Sequence, residues 1–114
     1  MLEKSERPWG RYEVLQESAT YKVKSIHVIA GKRLSYQRHQ KRSEHWYVTQ
    51  GTGEVTLDGK ISPISPGSII EVPQGMLHRV NNTGSTELIF IEVQTGTYFG
   101  EDDIVRLEDD YSRN

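Results

Sequence analysis

The stretch from Gly31 to Gly51 reads GKRLSYQRHQKRSEHWYVTQG, and the fold prediction depends mainly on it. Gln37 and His39 are two residues apart, so on a β-strand their side chains point to the same face. A second strand is predicted to begin at Glu44, with residues 40–43 forming the turn between the two strands. A hairpin of this shape brings an amide, an imidazole and a carboxylate to one point.

The stretch from Gly67 to Asn82 repeats this arrangement and supplies another histidine. It reads GSIIEVPQGMLHRVNN, in which Pro73 and Gly75 predict a turn that delivers His78 on the next strand. Two imidazoles, one amide oxygen and one carboxylate can hold one divalent metal ion and leave a position for water or substrate. The sequence has no cysteine, so disulfides, zinc–thiolate sites and iron–sulfur clusters are excluded.

Short β-type runs separated by turn signals extend along most of the chain. Strands are predicted within residues 21–30, 44–49, 54–57, 68–72, 77–80 and 87–94. Asp58-Gly59 is a strong signal for a two-residue hairpin turn. Strands at roughly ten-residue spacing predict an all-β sandwich or barrel. Helical periodicity is not evident before Glu101, and residues 101–110 are predicted to form one short helix.

Composition places the chain among ordinary globular proteins. Its 114 residues predict a single domain, residues 1–114. The net charge of −2 argues against binding to nucleic acid. The chain has neither an apolar run long enough for a membrane span nor a signal peptide at its start, so a soluble, cytoplasmic protein is expected.

Residues 18–43 carry basic but no acidic side chains. This zone is either a solvated face or, because it adjoins the predicted metal ligands, a receptor for an anion.

The spacing of the two stretches resembles the two motifs of the cupin superfamily. The pattern is G-x5-Q-x-H-x4-E-x6-G followed by G-x5-P-x-G-x2-H-x3-N, and it departs from the usual cupin at Gln37, where histidine is common. The resemblance implies a double-stranded β-helix, a jelly-roll barrel with the metal inside. An amide oxygen in place of an imidazole gives a harder site, suited to a metal that acts as a Lewis acid.

Flanking motifs narrow the resemblance. The segments RSEHW, at residues 42–46, and GEDDIVR, at residues 100–106, are similar to the isomerase domain of type II mannose-6-phosphate isomerases. In that family the cupin usually follows a mannose-1-phosphate guanylyltransferase domain, which this sequence lacks, so isomerase chemistry from a stand-alone domain is expected. The resemblance implies interconversion of mannose 6-phosphate and fructose 6-phosphate. It also implies one divalent metal ion (zinc first, with cobalt, manganese or iron as alternatives), a small sugar phosphate as partner, and a homodimer.

The implied reaction needs a proton carrier and a cationic group for phosphate, and Arg42, Lys24 and Glu92 are the candidates. Arg42 shares a strand face with Glu44, although it could instead be an exposed hairpin arginine. Lys24 faces the barrel only if the Lys22–Val28 face points inward, and the opposite face is about as apolar. Glu92 is a proton shuttle if it points inward and an ordinary surface charge if it points outward.

The remaining polar and aromatic residues near the motifs receive simpler interpretations. Trp9 and Trp46 are predicted to lie in the core, and His45 to face away from the metal. Arg79 is predicted to form an ion pair on the face opposite His78, and Arg106 to fold back onto the mouth of the site. Two rival functions stay open: an iron-dependent oxygenase that uses the two histidines and the carboxylate, and a non-enzymatic sugar-binding or sugar-phosphate-binding cupin.

Overall fold

Residues 3–111 are described by a computed structural model, and their regular structure consists of β-strands. The strands are β1 (Lys4–Arg7), β2 (Gly10–Glu17), β3 (Tyr21–Val28), β4 (Tyr36–Arg38), β5 (Arg42–Gln50), β6 (Gly53–Leu57), β7 (Lys60–Ile64), β8 (Ile69–Val72), β9 (His78–Asn81), β10 (Leu88–Gly96) and β11 (Val105–Glu108). The predicted all-β class is therefore confirmed. No helix in this part of the chain is long and apolar enough to cross a membrane.

The strands form two antiparallel sheets. The six-stranded sheet has the order β1-β2-β3-β10-β5-β8, and the five-stranded sheet has the order β11-β4-β9-β6-β7. The alternation of side chains along β5 shows why the sheets pack together: Arg42, Glu44, Trp46 and Val48 are buried, whereas His45 and Tyr47 are exposed. Each sheet thus turns one face toward a shared interior.

Two turns fix the geometry close to the predicted ligands. Asp58 and Gly59 both have positive φ, 46° and 83°, so they form the predicted two-residue hairpin turn between β6 and β7. Gly75 also has a positive φ of 83°, which suits glycine at this position of a turn. Its N–H donates to the His39 carbonyl at 2.8 Å. The turn before β9 is thereby tied to the end of β4.

The C-terminal helix prediction is wrong. Within residues 101–110 the chain forms β11, which pairs with β4 so that Arg106 lies opposite Gln37. The predicted strands are found in place, and the strand expected to carry Gln37 is β4, whereas no strand was predicted for β1, β2 or β7. The predicted hairpin is wrong: β4 pairs with β9 and β11 in one sheet, while β5 pairs with β8 and β10 in the other, so the chain crosses between the sheets after residue 38. β1 and β2 begin in a charged segment, so local patterns are weak there.

Candidate metal centre and active site

Three strands from both sheets bring the predicted metal ligands together. Gln37 lies on β4, His39 follows that strand directly, and His78 opens β9 opposite Gln37 in the register. Glu44 comes from β5 in the other sheet. The site therefore lies between the two sheets. Gln37, His39 and Glu44 are close together along the chain, whereas His78 comes from a later segment.

The two imidazoles and the carboxylate converge on one point. The His39 Nε2 atom is 3.3 Å from Glu44 Oε2, and the His78 Nε2 atom is 4.0 Å from Glu44 Oε1. One potential ligand atom from each residue lies within 4.8 Å of the others, and all three residues are buried. Gln37 is only 8% exposed and lines the same cavity. This is a donor set of the kind that holds a divalent ion in proteins.

Backbone carbonyls orient both histidine rings. The His39 Nδ1 atom is 2.6 Å from the Asp103 carbonyl oxygen, and the His78 Nδ1 atom is 3.0 Å from the Met76 carbonyl oxygen. Each ring therefore donates from Nδ1 and presents its Nε2 lone pair to the cavity, which is the arrangement that metal-binding histidines adopt. Burial lowers the pKa of His39, against the opposing effect of Glu44, and so favours the neutral ring that a metal requires.

Glu44 is held ionised by its neighbours. Arg42 Nε donates to Oε2 at 2.9 Å, and Trp46 Nε1 donates to Oε1 at 3.0 Å. Burial alone would raise the pKa of Glu44, but the Arg42 guanidinium, followed by His78 and His39, brings this pKa below its ordinary value. A buried carboxylate needs such partners because an unpaired buried charge is costly.

The structure also settles how Arg42, Lys24 and Glu92 are placed, since all three are buried and line the cavity. Arg42 is not an exposed hairpin arginine: its Nη2 atom lies 3.2 Å from His39 Nε2. Lys24 is 2% exposed, so the face that carries it points inward. Burial, followed by the nearby Glu44 charge, raises the pKa of Glu92 to about 8, and Gln94 Nε2 donates to Glu92 Oε2 at 2.6 Å.

The buried face of the six-stranded sheet changes from apolar to polar along the strands. Successive rows across β3, β10 and β5 are Ile26–Phe90–Val48, Lys24–Glu92–Trp46 and Lys22–Gln94–Glu44. The cavity has a volume of about 150 Å³ and opens to solvent at one end. Six of these residues line the cavity, so a polar ligand in it can contact charged groups beside apolar ones: Lys24, Glu92, Glu44, Trp46, Ile26 and Phe90.

The remaining predictions about single residues have mixed outcomes. Trp9 and Trp46 belong to the buried core, and the His45 side chain is half exposed on the outer face, as expected. Arg79 forms the expected ion pair, with Glu108 at 3.0 Å, but it is buried beneath β11 and not on an open surface. Arg106 lines the cavity, as its predicted position at the mouth requires.

Sequence reasoning missed two residues in the loop between β10 and β11. Asp103 supplies the carbonyl that orients His39, and its carboxylate accepts the N–H groups of Gln40 and Lys41 at 3.0 and 2.9 Å. Glu101 reaches Lys24, with Oε2 2.6 Å from Nζ. Both lie in the acidic run that was interpreted as helical, and only the pairing of β11 with β4 shows that the run crosses the site.

Comparison with known proteins places this site in a family. The family profile described as "Mannose-6-phosphate isomerase C-terminal" matches residues 1–109. The chain belongs to the mannose-6-phosphate isomerase C-terminal family. Two curated proteins are similar to this chain over nearly all of its length. It is 41% identical over 108 residues to a mannose-1-phosphate guanylyltransferase of Salmonella montevideo, covering 95% of the chain and 23% of that protein. It is 46% identical over 107 residues to the alginate biosynthesis protein AlgA of Pseudomonas aeruginosa, covering 94% of the chain and 22% of that protein.

A solved structure confirms the expected architecture for this member of the mannose-6-phosphate isomerase C-terminal family. A conserved protein with a double-stranded β-helix domain from Klebsiella pneumoniae superposes with a TM-score of 0.74 at 23% sequence identity. The match covers 84% of this chain and 82% of that chain. The cupin fold predicted from the two motifs is therefore confirmed. The chain spans less than a quarter of the length of the two curated relatives.

Proposed function

We propose that this domain is a metal-dependent aldose–ketose isomerase that interconverts mannose 6-phosphate and fructose 6-phosphate. The observation that carries the proposal is the convergence of His39, Glu44 and His78 at the polar end of a cavity, in a chain of this family. The relatives named above are guanylyltransferases or biosynthesis proteins by name, and the chain matches only the part of them that corresponds to the isomerase C-terminal family. Guanylyl transfer is not proposed for it.

The residues present fit a divalent metal ion. Gln37, His39, Glu44 and His78 would hold it, with zinc as the first candidate and cobalt, manganese or iron as alternatives. The fit rests on two ring nitrogens with lone pairs turned toward a buried, ionised carboxylate. Arg42 Nη2 lies 3.2 Å from His39 Nε2, the atom through which His39 would hold the ion. When bound, such an ion supplies Lewis-acid polarisation of the substrate oxygens.

Two of the protein's own side chains are then proposed to act on the substrate. The reaction removes a proton from C2 of the aldose and returns it to C1, while a hydroxyl proton moves from O2 to O1. Glu92 is proposed as the carboxyl group that carries the carbon-bound proton, because it is buried on the cavity wall between Lys24 and Trp46 in the sheet register. Arg42 is proposed to stabilise the charge that develops on the enediol oxygens, since its guanidinium faces the same end of the cavity.

An activity assay with metal replacement tests the proposal. Purified protein is treated with chelator, dialysed, and assayed for interconversion of the two sugar phosphates after addition of zinc, cobalt, manganese or ferrous iron. We expect turnover that requires a metal and that is lost, together with stoichiometric metal binding, in His39→Ala and His78→Ala. His45→Ala is the matched control, because His45 neighbours Glu44 on β5 but is half exposed on the opposite face.

The outcome separates this proposal from its rivals. Stoichiometric metal binding without turnover on either sugar phosphate would contradict the isomerase while leaving the metal centre in place. Oxygen consumption that depends on ferrous iron would instead support an oxygenase that uses the two histidines and the carboxylate. Full turnover in chelated protein would contradict the role of the metal.

A further inference from the structure

A carboxylate from the β10–β11 loop lies in the cavity against two buried cations. Glu101 Oε2 is 2.6 Å from Lys24 Nζ and 3.7 Å from Arg42 Nη1. Lys24 and Arg42 are 2% and 5% exposed, whereas the Glu101 side chain is 39% exposed. The cations are therefore fixed parts of the barrel wall, while their anionic partner enters from the solvent side.

This contact satisfies only one of the two cations. Lys24 Nζ has a short bond to Glu101 and also lies over the Tyr12 ring, 4.0 Å from its centroid. Arg42 Nη1 is buried and has no hydrogen-bond partner within the described residues 3–111, because 3.7 Å is too long for a hydrogen bond. A buried N–H group without a partner is unfavourable, so a ligand that reached both cations would bind better than the Glu101 carboxylate does.

We propose that Lys24 and Arg42 form a subsite for a phosphate monoester, and that Glu101 is a built-in anion that leaves this subsite when the phosphate enters. A phosphate monoester has three terminal oxygens and a charge of about −1.5 to −2, so it can accept from Lys24 Nζ and Arg42 Nη1 together. Reading this monoester as the phosphoryl end of the substrate rests on the proposed function, whereas the anion subsite itself rests on the geometry alone.

The position of the subsite suits a molecule with an anionic end and a polyol end. Lys24 is on β3 and Glu44 on β5, with β10 between them, and neighbouring strands are about 4.8 Å apart. The subsite thus extends from Arg42, which lies 2.9 Å from Glu44 and 3.2 Å from His39, to Lys24 two strands away. Ile26 and Phe90 supply apolar lining beside these charged groups, so the polar parts of a ligand would turn toward Lys24, Arg42 and the metal ligands.

Binding of inorganic phosphate to metal-free protein tests the subsite without requiring turnover. Chelator-treated and dialysed protein is titrated with phosphate by calorimetry at fixed ionic strength, which removes direct contact between phosphate and a metal. We expect Glu101→Gln to bind phosphate about tenfold more tightly than the unmodified protein, because the competing charge is gone. Lys24→Met is expected to lose phosphate binding. Asp102→Asn is the matched control, since it removes a neighbouring charge that is fully exposed, and its affinity should be unchanged.

Two results would overturn the subsite: equal phosphate affinity in Glu101→Gln and the unmodified protein, or retained affinity in Lys24→Met. If Lys24→Met fails to fold, the comparison of Glu101→Gln with Asp102→Asn decides alone. Isomerase assays on the same proteins keep the two proposals apart. Turnover without any effect of Glu101→Gln on phosphate affinity would contradict the proposed subsite and support the proposed isomerase. Tighter phosphate binding by Glu101→Gln, without turnover in any of the proteins, would support the subsite and contradict mannose 6-phosphate as the substrate.

Discussion

At the scale of single residues, the Trp46 side chain has a contact that can be removed with little change of shape. Its indole N–H donates to Glu44 Oε1 at 3.0 Å, while its ring packs on Phe90 with centroids 4.7 Å apart. Trp46→Phe removes the donor and keeps an aromatic ring. We expect the affinity for a divalent ion to fall about tenfold, the lower end of the usual effect of an outer-shell partner. Competition with a fluorescent chelator measures this.

Trp9→Phe is the control for that variant, because Trp9 is an equally buried core residue for which the structure shows no hydrogen bond to Glu44. It should lower the free energy of unfolding without changing metal affinity. The same affinity in Trp46→Phe as in the unmodified protein would show that the indole N–H does not hold Glu44 for metal binding.

Glu92 gives a pH dependence that can be tested on metal-free protein. Burial raises its pKa from 4.5 to about 8, so between these values the folded protein keeps a proton that the unfolded chain has released. The contribution of Glu92 to stability is therefore present at low pH and is lost as the pH rises toward about 8. Urea unfolding of the unmodified protein and Glu92→Gln from about pH 5 to pH 8 measures it. We expect the stability of Glu92→Gln, relative to the unmodified protein, to increase with pH. A constant difference would mean that the pKa is not raised.

At the scale of secondary-structure elements, the β10–β11 loop supports the connection between β4 and β5 through Asp103. Its carboxylate accepts the N–H groups of Gln40 and Lys41, and its carbonyl oxygen lies 2.6 Å from His39 Nδ1. Asp103→Ala should lower the free energy of unfolding by about 0.5–1.5 kcal/mol, because two exposed backbone donors exchange a protein partner for water. Metal affinity should also fall, measured by the same chelator competition. Asp102→Ala is the control. Equal losses of stability and of metal affinity in both variants would show that the loss of any acidic side chain in this loop, and not the loss of the Asp103 hydrogen bonds, causes the change.

The same loop shows where sequence patterns stop being informative. The alternation along residues 44–49 and the Asp58-Gly59 pair are local signals, and both gave the correct elements. The four candidate ligands were predicted from their spacing in the two cupin motifs, and the structure brings them to one cavity although the expected hairpin is absent. By contrast, β11 forms by pairing with β4 more than sixty residues earlier, as in Arg106 opposite Gln37. No periodicity within residues 101–110 carries that information, so the helix prediction failed and Glu101 and Asp103 were missed.

At the scale of the whole molecule, each sheet ends in open edge strands. β8 closes one side of the six-stranded sheet and β7 one side of the five-stranded sheet, and Ile69 and Ile61 on these strands are both 61% exposed. Open edges of this kind are commonly covered in native proteins. The homodimer expected from the sequence resemblance stays a prediction, which light scattering on the purified protein tests.

The two sheets share the candidate metal centre, so metal binding should stabilise the molecule as a unit. Glu44 belongs to the six-stranded sheet, whereas Gln37 and His78 belong to the five-stranded sheet. An ion held by all three binds only the folded chain. At a free metal concentration one hundred times Kd it adds about 2.7 kcal/mol to the free energy of unfolding. For a domain of this size, that raises Tm by on the order of 10 °C. Scanning calorimetry with and without zinc measures the shift, and it should disappear in His78→Ala but persist in His45→Ala. A shift of equal size in His78→Ala would place the stabilising ion elsewhere, and the link between the two sheets would then have to be sought in packing alone.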